Sequence, residues 1–261
     1  MNDTPPPPEP DAPDTPVLEL DAVSVVFAAR HRGGTPVTAM DRVGFTIAAG
    51  QTLGLVGESG SGKSTTGAIA LGLRRPTSGT VRFLGAPHGR RGRAGPIQAV
   101  LQNPHWSLNP RLTVGDSVAE PLAAATRTRL RAHHRAVAGL LDQVGLPERF
   151  ADRLPHELSG GQRQRVAIAR SLITRPRFIV FDEAVSALDV SVQAQTLNLI
   201  RDLQHEHGFG ALFISHDLAA VRYAADRIAV MHSGRIVELA DTARFWNTPE
   251  HPYSRTLLEN L

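Results

Sequence analysis

The chain has 261 residues and a mass of 28.1 kDa, which suits one large α/β domain or two small ones. It has no cysteine, which excludes disulfide frameworks, thiolate metal sites and cysteine catalysis. The net charge of +3 is weak evidence for nucleic-acid binding. The pI near 10.1 mostly reflects the choice of arginine over lysine, because 27 of the 28 basic side chains are arginine and the one lysine is Lys63.

The N-terminal sequence and the hydropathy pattern favour a soluble cytoplasmic protein, which could still dock on a membrane partner. No stretch approaches the roughly 18–20 apolar residues of a membrane span, and the N-terminus lacks the basic start and apolar run of a signal peptide. Residues 1–16 hold seven of the 19 prolines and no basic residue, a composition typical of a disordered tail. We therefore expect the folded domain to begin at Val17.

From Val17 the hydrophobic periodicity predicts strands and helices that alternate, with a mostly helical insertion over about 103–159. The predicted strands are 17–20, 23–27, 43–47, 51–56, 80–84, 97–101, 178–181, 211–215, 228–232 and 235–239. The predicted helices are 63–73, 114–125, 131–144, 162–173, 192–205 and 218–225. Ser233 and Gly234 form a two-residue hairpin signal. This order predicts a parallel α/β fold.

A glycine-rich loop follows one apolar strand and opens the helix predicted at 63–73. It matches GxxxxGK[ST], in which glycines let the backbone wrap around phosphates and the helix N-terminus adds partial positive charge. Lys63 is expected to reach the β- and γ-phosphates as a compact charge, where a planar guanidinium fits poorly, and Ser64 to bind Mg²⁺. The predicted phosphate-binding residues are Gly57, Glu58, Ser59, Gly60, Ser61, Gly62, Lys63, Ser64 and Thr65. The motif alone is shared by kinases, GTPases and many ATPases.

Four polar side chains follow other apolar strands, where the active-site residues of parallel α/β folds collect. Asp182 fits the aspartate that holds Mg²⁺ in P-loop enzymes. Glu183 is expected to point the other way or into the next turn, where it could polarise an attacking water. His216 could hydrogen-bond the γ-phosphate and the water. Gln102 could meet Mg²⁺ or the water through its amide carbonyl.

A second glycine-rich helix start lies at Leu158–Gln162, with Ser159 as a predicted N-cap. Two glycines at a helix start allow close approach of an anion to the backbone. The chain would then have two phosphate-binding helix starts, although the first loop already cradles one nucleotide. The simplest resolution is that the second helix binds the nucleotide of another subunit.

With these motifs, the chain resembles the nucleotide-binding subunit of ABC transporters over about residues 17–257. The motifs stand in family order: the phosphate loop 57–64, Gln102, the LSGGQ signature 158–162, the strand 177–183, the D-loop 186–189 and His216. The resemblance implies a P-loop ABC cassette over 17–261, with a RecA-like core, an antiparallel β subdomain and a helical subdomain at about 103–159.

The resemblance also implies a head-to-tail dimer that sandwiches two ATP molecules with Mg²⁺. The catalytic residues would be Glu183 as the base, His216, Gln102 and Lys63. Mg²⁺ would be held by Ser64, Gln102 and Asp182, and Phe27 is similar to the aromatic residue that stacks on adenine; the core of a strand is the alternative role for this ring. The residues that would reach the nucleotide of the other subunit are Ser159, Gly160, Gly161, Gln162 and Asp189.

A finer similarity is to the ATPases of dipeptide, oligopeptide and nickel importers, carried by the segments 103–111, 155–165, 186–195 and 251–258. It implies peptide uptake through two membrane permease subunits, contacted by Asn103–Arg111 with Trp106 and Leu108 as apolar contacts. A solute-binding protein would take part indirectly, and the chain would lie on the cytoplasmic face of the bacterial inner membrane. The sequence departs from that family in having Ala184 where proline is usual and no cysteine-containing tail, so we expect no function of such a tail.

Three alternatives stay open from the sequence. The cargo could be nickel or another small solute, the partner cassette could be identical or different, and a soluble ABC ATPase of DNA repair or translation is a less favoured function. Basic clusters at 90–93 and 127–135 are interpreted as solvated surfaces, so no nucleic-acid partner is expected. The histidine pairs 133–134 and 205/207 lack a third ligand at useful spacing, so they are not expected to bind metal.

Overall fold

The computed structural model describes residues 15–28, 35–88, 95–102 and 108–259. Its strands are β1 (Leu18–Phe27), β2 (Val37–Ile47), β3 (Thr52–Val56), β4 (Ser78–Phe83), β5 (Ala86–Pro87), β6 (Ile97–Leu101), β7 (Phe178–Asp182), β8 (Gly210–Ile214), β9 (Arg227–His232) and β10 (Arg235–Asp241). Its α-helices are α1 (Lys63–Ala70), α2 (Val114–Thr126), α3 (His134–Gln143), α4 (Gly160–Leu172), α5 (Val190–His207), α6 (Leu218–Ala224), α7 (Thr242–Asn247) and α8 (Pro252–Glu259). The proline-rich tail up to residue 14 lies outside the described residues.

The larger sheet has six strands in the order β10-β9-β3-β8-β7-β6. The pairs from β9 to β6 are parallel, and β10 folds back antiparallel on β9. Because parallel strands bring their carboxyl ends to one edge, the segments that follow β3, β6, β7 and β8 lie side by side. Those segments are the ones that carry the predicted polar residues.

Two hydrophobic cores cover the two faces of this sheet. Strand β7 shows the division, since Phe178 and Val180 belong to one core and Ile179 and Phe181 to the other. All four side chains are at most 1% exposed. A strand buried on both faces needs a continuous apolar run rather than an alternating one, which is the pattern at 178–181.

The smaller sheet is antiparallel, with the order β2-β1-β4-β5. The strands predicted separately at 17–20 and 23–27 form the single strand β1, which has register shifts between Leu20 and Val23 and again near Val25. Ala22, at the first irregularity, has a φ of 48°. A bulge of this kind interrupts the alternation of side chains without ending the strand, so the sequence pattern breaks where the strand does not.

Between β6 and β7 the described residues are helical, and α2 begins at a capped turn. The N–H of Asp116 donates to Thr113 Oγ1 at 3.1 Å. Val118 of α2, Leu141 of α3 and Val166 of α4 are buried in the same core. The boundary of a helical subdomain at about 103–159 stays a prediction, and Trp106 lies outside the described residues.

The C-terminal part adds two helices that the sequence pattern did not predict, α7 and α8. The hairpin predicted at Ser233–Gly234 does join β9 to β10. Both turn residues have positive φ, 48° and 80°, as the tight turn between two strands requires.

Candidate functional site

A cleft of about 580 Å³ opens at the carboxyl edge of the parallel strands. The loop after β3 forms one wall, and the ends of β6, β7 and β8 form the other. The lining residues are Ala39, Ser59, Gly60, Gly62, Lys63, Ser64, Thr65, Gln102, Asp182, Glu183, Ile214 and His216. The structure therefore brings Gln102, Asp182, Glu183 and His216 to the phosphate loop from separate strands. Three residues of the predicted loop, Gly57, Glu58 and Ser61, are not among the lining.

The backbone of the phosphate loop requires glycine at two points. Gly57 has a φ of 148°, and a Cβ there would lie 2.1 Å from the carbonyl oxygen of Met231. Gly62 has a φ of 112°, and its Cβ would lie 2.4 Å from the carbonyl oxygen of Ala39. Both glycines have φ values that favour glycine, and both pack directly against carbonyl groups of other segments, so a side chain would not fit at either position.

Lys63 is buried in this loop, with 9% of its surface exposed. Its Nζ donates to the carbonyl oxygens of Gly57 at 2.6 Å and Glu58 at 2.9 Å. Burial lowers the pKa of Lys63, and the carboxylates of Glu183 and Asp182 oppose that shift. The ammonium group is thus kept close to the cleft by carbonyls of its own loop.

Asp182 and Glu183 meet the cleft at the end of β7. Burial raises the pKa of Asp182, the neighbouring Glu183 raises it further, and Lys63 opposes both. Glu183 has a φ of 53°, and its N–H donates to the carbonyl of Ile214 at 2.9 Å. This turn brings Glu183 to His216, whose Nδ1 lies 2.9 Å from Oε1 and 2.7 Å from Oε2.

Oxygen-bearing side chains at the cleft fit a magnesium ion. Ser64, Gln102 and Asp182 line it together, and hydroxyl, amide and carboxylate oxygens are ligands that Mg²⁺ accepts. No group of three or more His, Asp or Glu side chains suited to a metal occurs in the described parts of the chain. The donor set therefore suits an ion shared with substrate phosphates, as Mg²⁺ usually is in phosphate-transfer sites.

Gln102 is connected to the acidic pair through a serine that the sequence analysis did not assign to the site. Gln102 Nε2 donates to Ser186 Oγ at 3.4 Å, and Ser186 Oγ donates to the carbonyl oxygen of Glu183 at 2.9 Å. The segment after β6 thus contacts the turn after β7.

The second glycine-rich helix start lies apart from this cleft. Ser159 caps α4 as predicted, because the N–H of Gln162 donates to Ser159 Oγ at 3.3 Å and the N–H of Ser159 donates to Gln162 Oε1 at 3.0 Å. Neither the residues 159–162 nor Asp189 is among the cleft lining. Gly160 and Asp189 are exposed. The same chain therefore does not bring the two helix starts to one site.

Phe27 ends β1 outside the lining of the cleft. Its ring packs against the core of the smaller sheet. The guanidinium carbon of Arg74 lies 4.3 Å from the ring centroid, a distance suited to a cation–π contact. One face of the ring is therefore covered by arginine.

Tyr253 contacts the phosphate loop but was not predicted from the sequence. The N–H of Glu58 donates to the Tyr253 hydroxyl at 3.1 Å, across a separation of 195 positions. Its segment was noted only as part of the importer resemblance, and no local pattern relates it to the loop.

The chain is similar to known proteins over most of its length. The family model for ABC transporters matches residues 40–186, more than half of the chain. The oligopeptide transport ATP-binding protein OppF of Bacillus subtilis is 48% identical over 86% of this chain and 76% of the relative. The dipeptide transport ATP-binding protein DppF of Haemophilus influenzae is 45% identical over 85% of this chain and 70% of the relative.

A solved structure is also similar. It is a dimer of the ATP-binding cassette MJ0796 in a post-hydrolysis state with ADP and Pi, with a TM-score of 0.75 and 29% identity over 86% of this chain and 98% of that one. No helix in the described residues is long and apolar enough to cross a membrane. The family model, the similar sequences and the similar structure show that the chain belongs to the ABC transporter family and has the fold of its ATP-binding cassette.

Proposed function

We propose that this chain is the ATP-hydrolysing subunit of an ABC importer and drives the uptake of peptides through membrane subunits. The observation that carries the proposal is the cleft where Lys63, Asp182, Glu183 and His216 converge. The names of the similar proteins, which transport oligopeptides and dipeptides, support peptides as the cargo.

The phosphate loop supplies the binding half of the site. Its backbone N–H groups and the start of α1 present partial positive charge to the β- and γ-phosphates of ATP. Lys63 leaves the carbonyls of Gly57 and Glu58 and pairs with those phosphates instead, a short movement of one flexible side chain. Ser64, Asp182 and Gln102 would hold Mg²⁺, which would neutralise charge on the phosphates.

The turn after β7 supplies the hydrolytic half. The Glu183 carboxylate orients the attacking water and accepts its proton, while His216 holds the Glu183 carboxylate in place and contacts the γ-phosphate. Glu183 is the more enclosed of the two, with 18% of its side chain exposed against 65% for His216. This difference suits a buried base and a histidine that approaches the nucleotide from the open side.

The second helix start completes the nucleotide site of another cassette. Ser159, Gly160, Gly161 and Gln162, with Asp189, lie outside the cleft of their own chain, and the N-terminus of α4 is an exposed anion-binding end. Two cassettes arranged head to tail each add this end to the other's cleft. The dimeric state of the similar cassette MJ0796 supports the arrangement.

The remaining partners are two permease subunits, contacted through Asn103–Arg111, and an external solute-binding protein that acts on those subunits. The chain then works on the cytoplasmic face of the cell membrane. The prediction of Leu108 as an apolar contact does not hold, because Leu108 is 3% exposed and its side chain is buried in a hydrophobic core.

The experiment is an uptake assay in a strain that lacks this gene, complemented with the wild-type chain or with Glu183→Gln. We expect labelled dipeptides or oligopeptides to be taken up only with the wild type, and the chain to co-purify with permeases in detergent. Uptake of nickel but not of peptides would favour the alternative cargo. ATPase activity stimulated by DNA or ribosomes, with no membrane partner, would contradict importer function.

A further inference from the structure

The C-terminal helix α8 is attached to the phosphate loop through one side chain. The Tyr253 hydroxyl accepts a hydrogen bond from the N–H of Glu58 at 3.1 Å. The same peptide unit is bound at its other end, because the carbonyl oxygen of Gly57 accepts from Lys63 Nζ at 2.6 Å. A peptide unit is planar, so a contact that fixes its N–H also fixes the direction of its carbonyl.

The ring of Tyr253 and the start of its helix are each held by other residues. Its ring packs on the imidazole of His232 at the end of β9, with the ring centroids 4.1 Å apart. The start of α8 is held by the buried carboxylate of Glu238, which accepts from the N–H groups of Glu250 at 3.0 Å and His251 at 2.9 Å. The hydroxyl is therefore presented to the loop by a fixed ring on an anchored helix.

The electrostatics agree with this role. Burial raises the pKa of Tyr253, so the hydroxyl stays protonated and uncharged near neutral pH. It therefore adds no negative charge beside the site where phosphates bind.

We propose that Tyr253 is a positioning residue for nucleotide binding, which acts by fixing the Gly57–Glu58 peptide and, with it, the conformation of the phosphate loop that accepts ATP. The inference rests on the proposed ATPase function and assigns the C-terminal helix a part in it. Binding is reciprocal: if docking of α8 favours the loop conformation that accepts ATP, ATP favours docking of α8 to the same extent.

The test compares Tyr253→Phe with Tyr223→Phe in the purified full-length chain. Tyr253→Phe keeps the ring on His232 and removes only the hydroxyl. Tyr223 is the other tyrosine of the chain, and its hydroxyl donates to Asn198, which is not among the cleft lining. We expect the dissociation constant of Mg-ATP to rise about three- to tenfold in Tyr253→Phe, since one hydrogen bond is lost, and to stay within about twofold in the control.

A positioning role also predicts a split in the kinetics. The KM for ATP should rise with the dissociation constant while kcat stays within about twofold, because Glu183 and His216 are untouched. In the wild type, ATP should slow amide hydrogen exchange in residues 252–259, and that protection should be reduced in Tyr253→Phe.

Equal ATP affinity in Tyr253→Phe and Tyr223→Phe, or a fall in kcat with KM unchanged, would overturn the proposal for Tyr253 while leaving the ATPase function intact. Absence of ATP binding by the wild-type chain would instead contradict the proposed function itself. The two failures are therefore distinguished in one series of titrations.

Discussion

Two helices of this chain begin at glycine-rich turns, and the surroundings of the two turns differ. The start of α1 is enclosed: Met231 and Ala39 pack under its glycines, Lys63 is bound to carbonyls of the loop, and Tyr253 holds the loop from outside. The start of α4 is more open: Ser159 and Gly160 are exposed, Gly161 packs against Val192, and the helix is capped by its own Ser159 and Gln162. One turn belongs to a built cleft, whereas the other is an exposed end.

The difference fits the division of work between two cassettes in the proposed dimer. Catalytic side chains need fixed neighbours, and the enclosed turn has them in Asp182, Glu183 and His216. An end that must dock on the nucleotide of another subunit needs access instead. The open turn meets that need, because its caps satisfy the backbone without covering the helix terminus.

The largest expected effect comes from removing the proposed base, Glu183, beside the enclosed turn. Glu183→Gln keeps the shape and one acceptor oxygen but cannot take a proton from water. We expect turnover to fall by a factor of about 10² to 10⁴, with ATP binding retained, measured by phosphate release and by nucleotide titration. Near-normal hydrolysis would remove Glu183 from the role of base.

The next effect concerns the charge inside the enclosed turn. Lys63→Arg keeps one positive charge but places a planar, larger group where the compact ammonium of Lys63, a residue only 9% exposed, lies against two carbonyls. We expect ATP affinity or turnover to fall tenfold or more, by roughly the loss of one or two charge-assisted hydrogen bonds. Wild-type ATP affinity and turnover in Lys63→Arg would show that the site does not require an ammonium group at position 63.

A matched pair of glycine substitutions compares the two turns directly. In Gly57→Ala, the new Cβ would meet the Met231 carbonyl at 2.1 Å with φ at 148°. In Gly160→Ala, no described atom outside the adjacent residues and the helix's own backbone lies within 4 Å of the new Cβ. We expect Gly57→Ala to lose several kcal/mol of folding free energy or much of its ATP affinity, and Gly160→Ala to change stability by about 0.5 kcal/mol or less.

Thermal unfolding and nucleotide titration of the two variants provide the measurement. Equal stability and equal ATP affinity in both would contradict the enclosed geometry of the phosphate loop.

A small effect is expected at the cap of the open turn. Ser159→Ala removes the acceptor for the Gln162 N–H, and loss of such a cap costs about 1 kcal/mol. We expect Tm to fall by about 2–4 °C in thermal unfolding, while ATP binding by the isolated chain stays within about twofold. A larger loss of ATP affinity in this variant would show that the open turn takes part in binding within its own chain.

Much of the cleft could be predicted from the sequence, because its residues follow apolar strands directly. The GxxxxGK[ST] loop, Gln102, the Asp182–Glu183 pair and His216 each end a strand, and the parallel sheet brings those ends to one edge. The position of Asp182 and Glu183 could be predicted because β7 is a continuous apolar run, typical of a strand buried on both faces, and the two carboxylates come at its end.

Other features depend on contacts that are distant in sequence. Tyr253 and Met231 lie far along the chain from the loop that they support, so no local pattern contains that relation. The bulge in β1 hides one strand behind a broken alternation. Helix α8 has only eight residues, and Pro252 at its first position is its clearest sequence signal. The adenine-stacking role of Phe27 comes from the family resemblance alone. That role and the role of residues 159–162 stay predictions.

The central claim is that the enclosed turn alone forms the nucleotide site of a single chain. Titration of a fluorescent ATP analogue into the monomeric chain, with Lys63→Ala and Gly160→Glu beside the wild type, tests it most directly. We predict one nucleotide bound per wild-type chain, affinity weakened about a hundredfold in Lys63→Ala, and unchanged binding in Gly160→Glu. Two nucleotides per chain, or binding that survives in Lys63→Ala and is lost in Gly160→Glu, would contradict it.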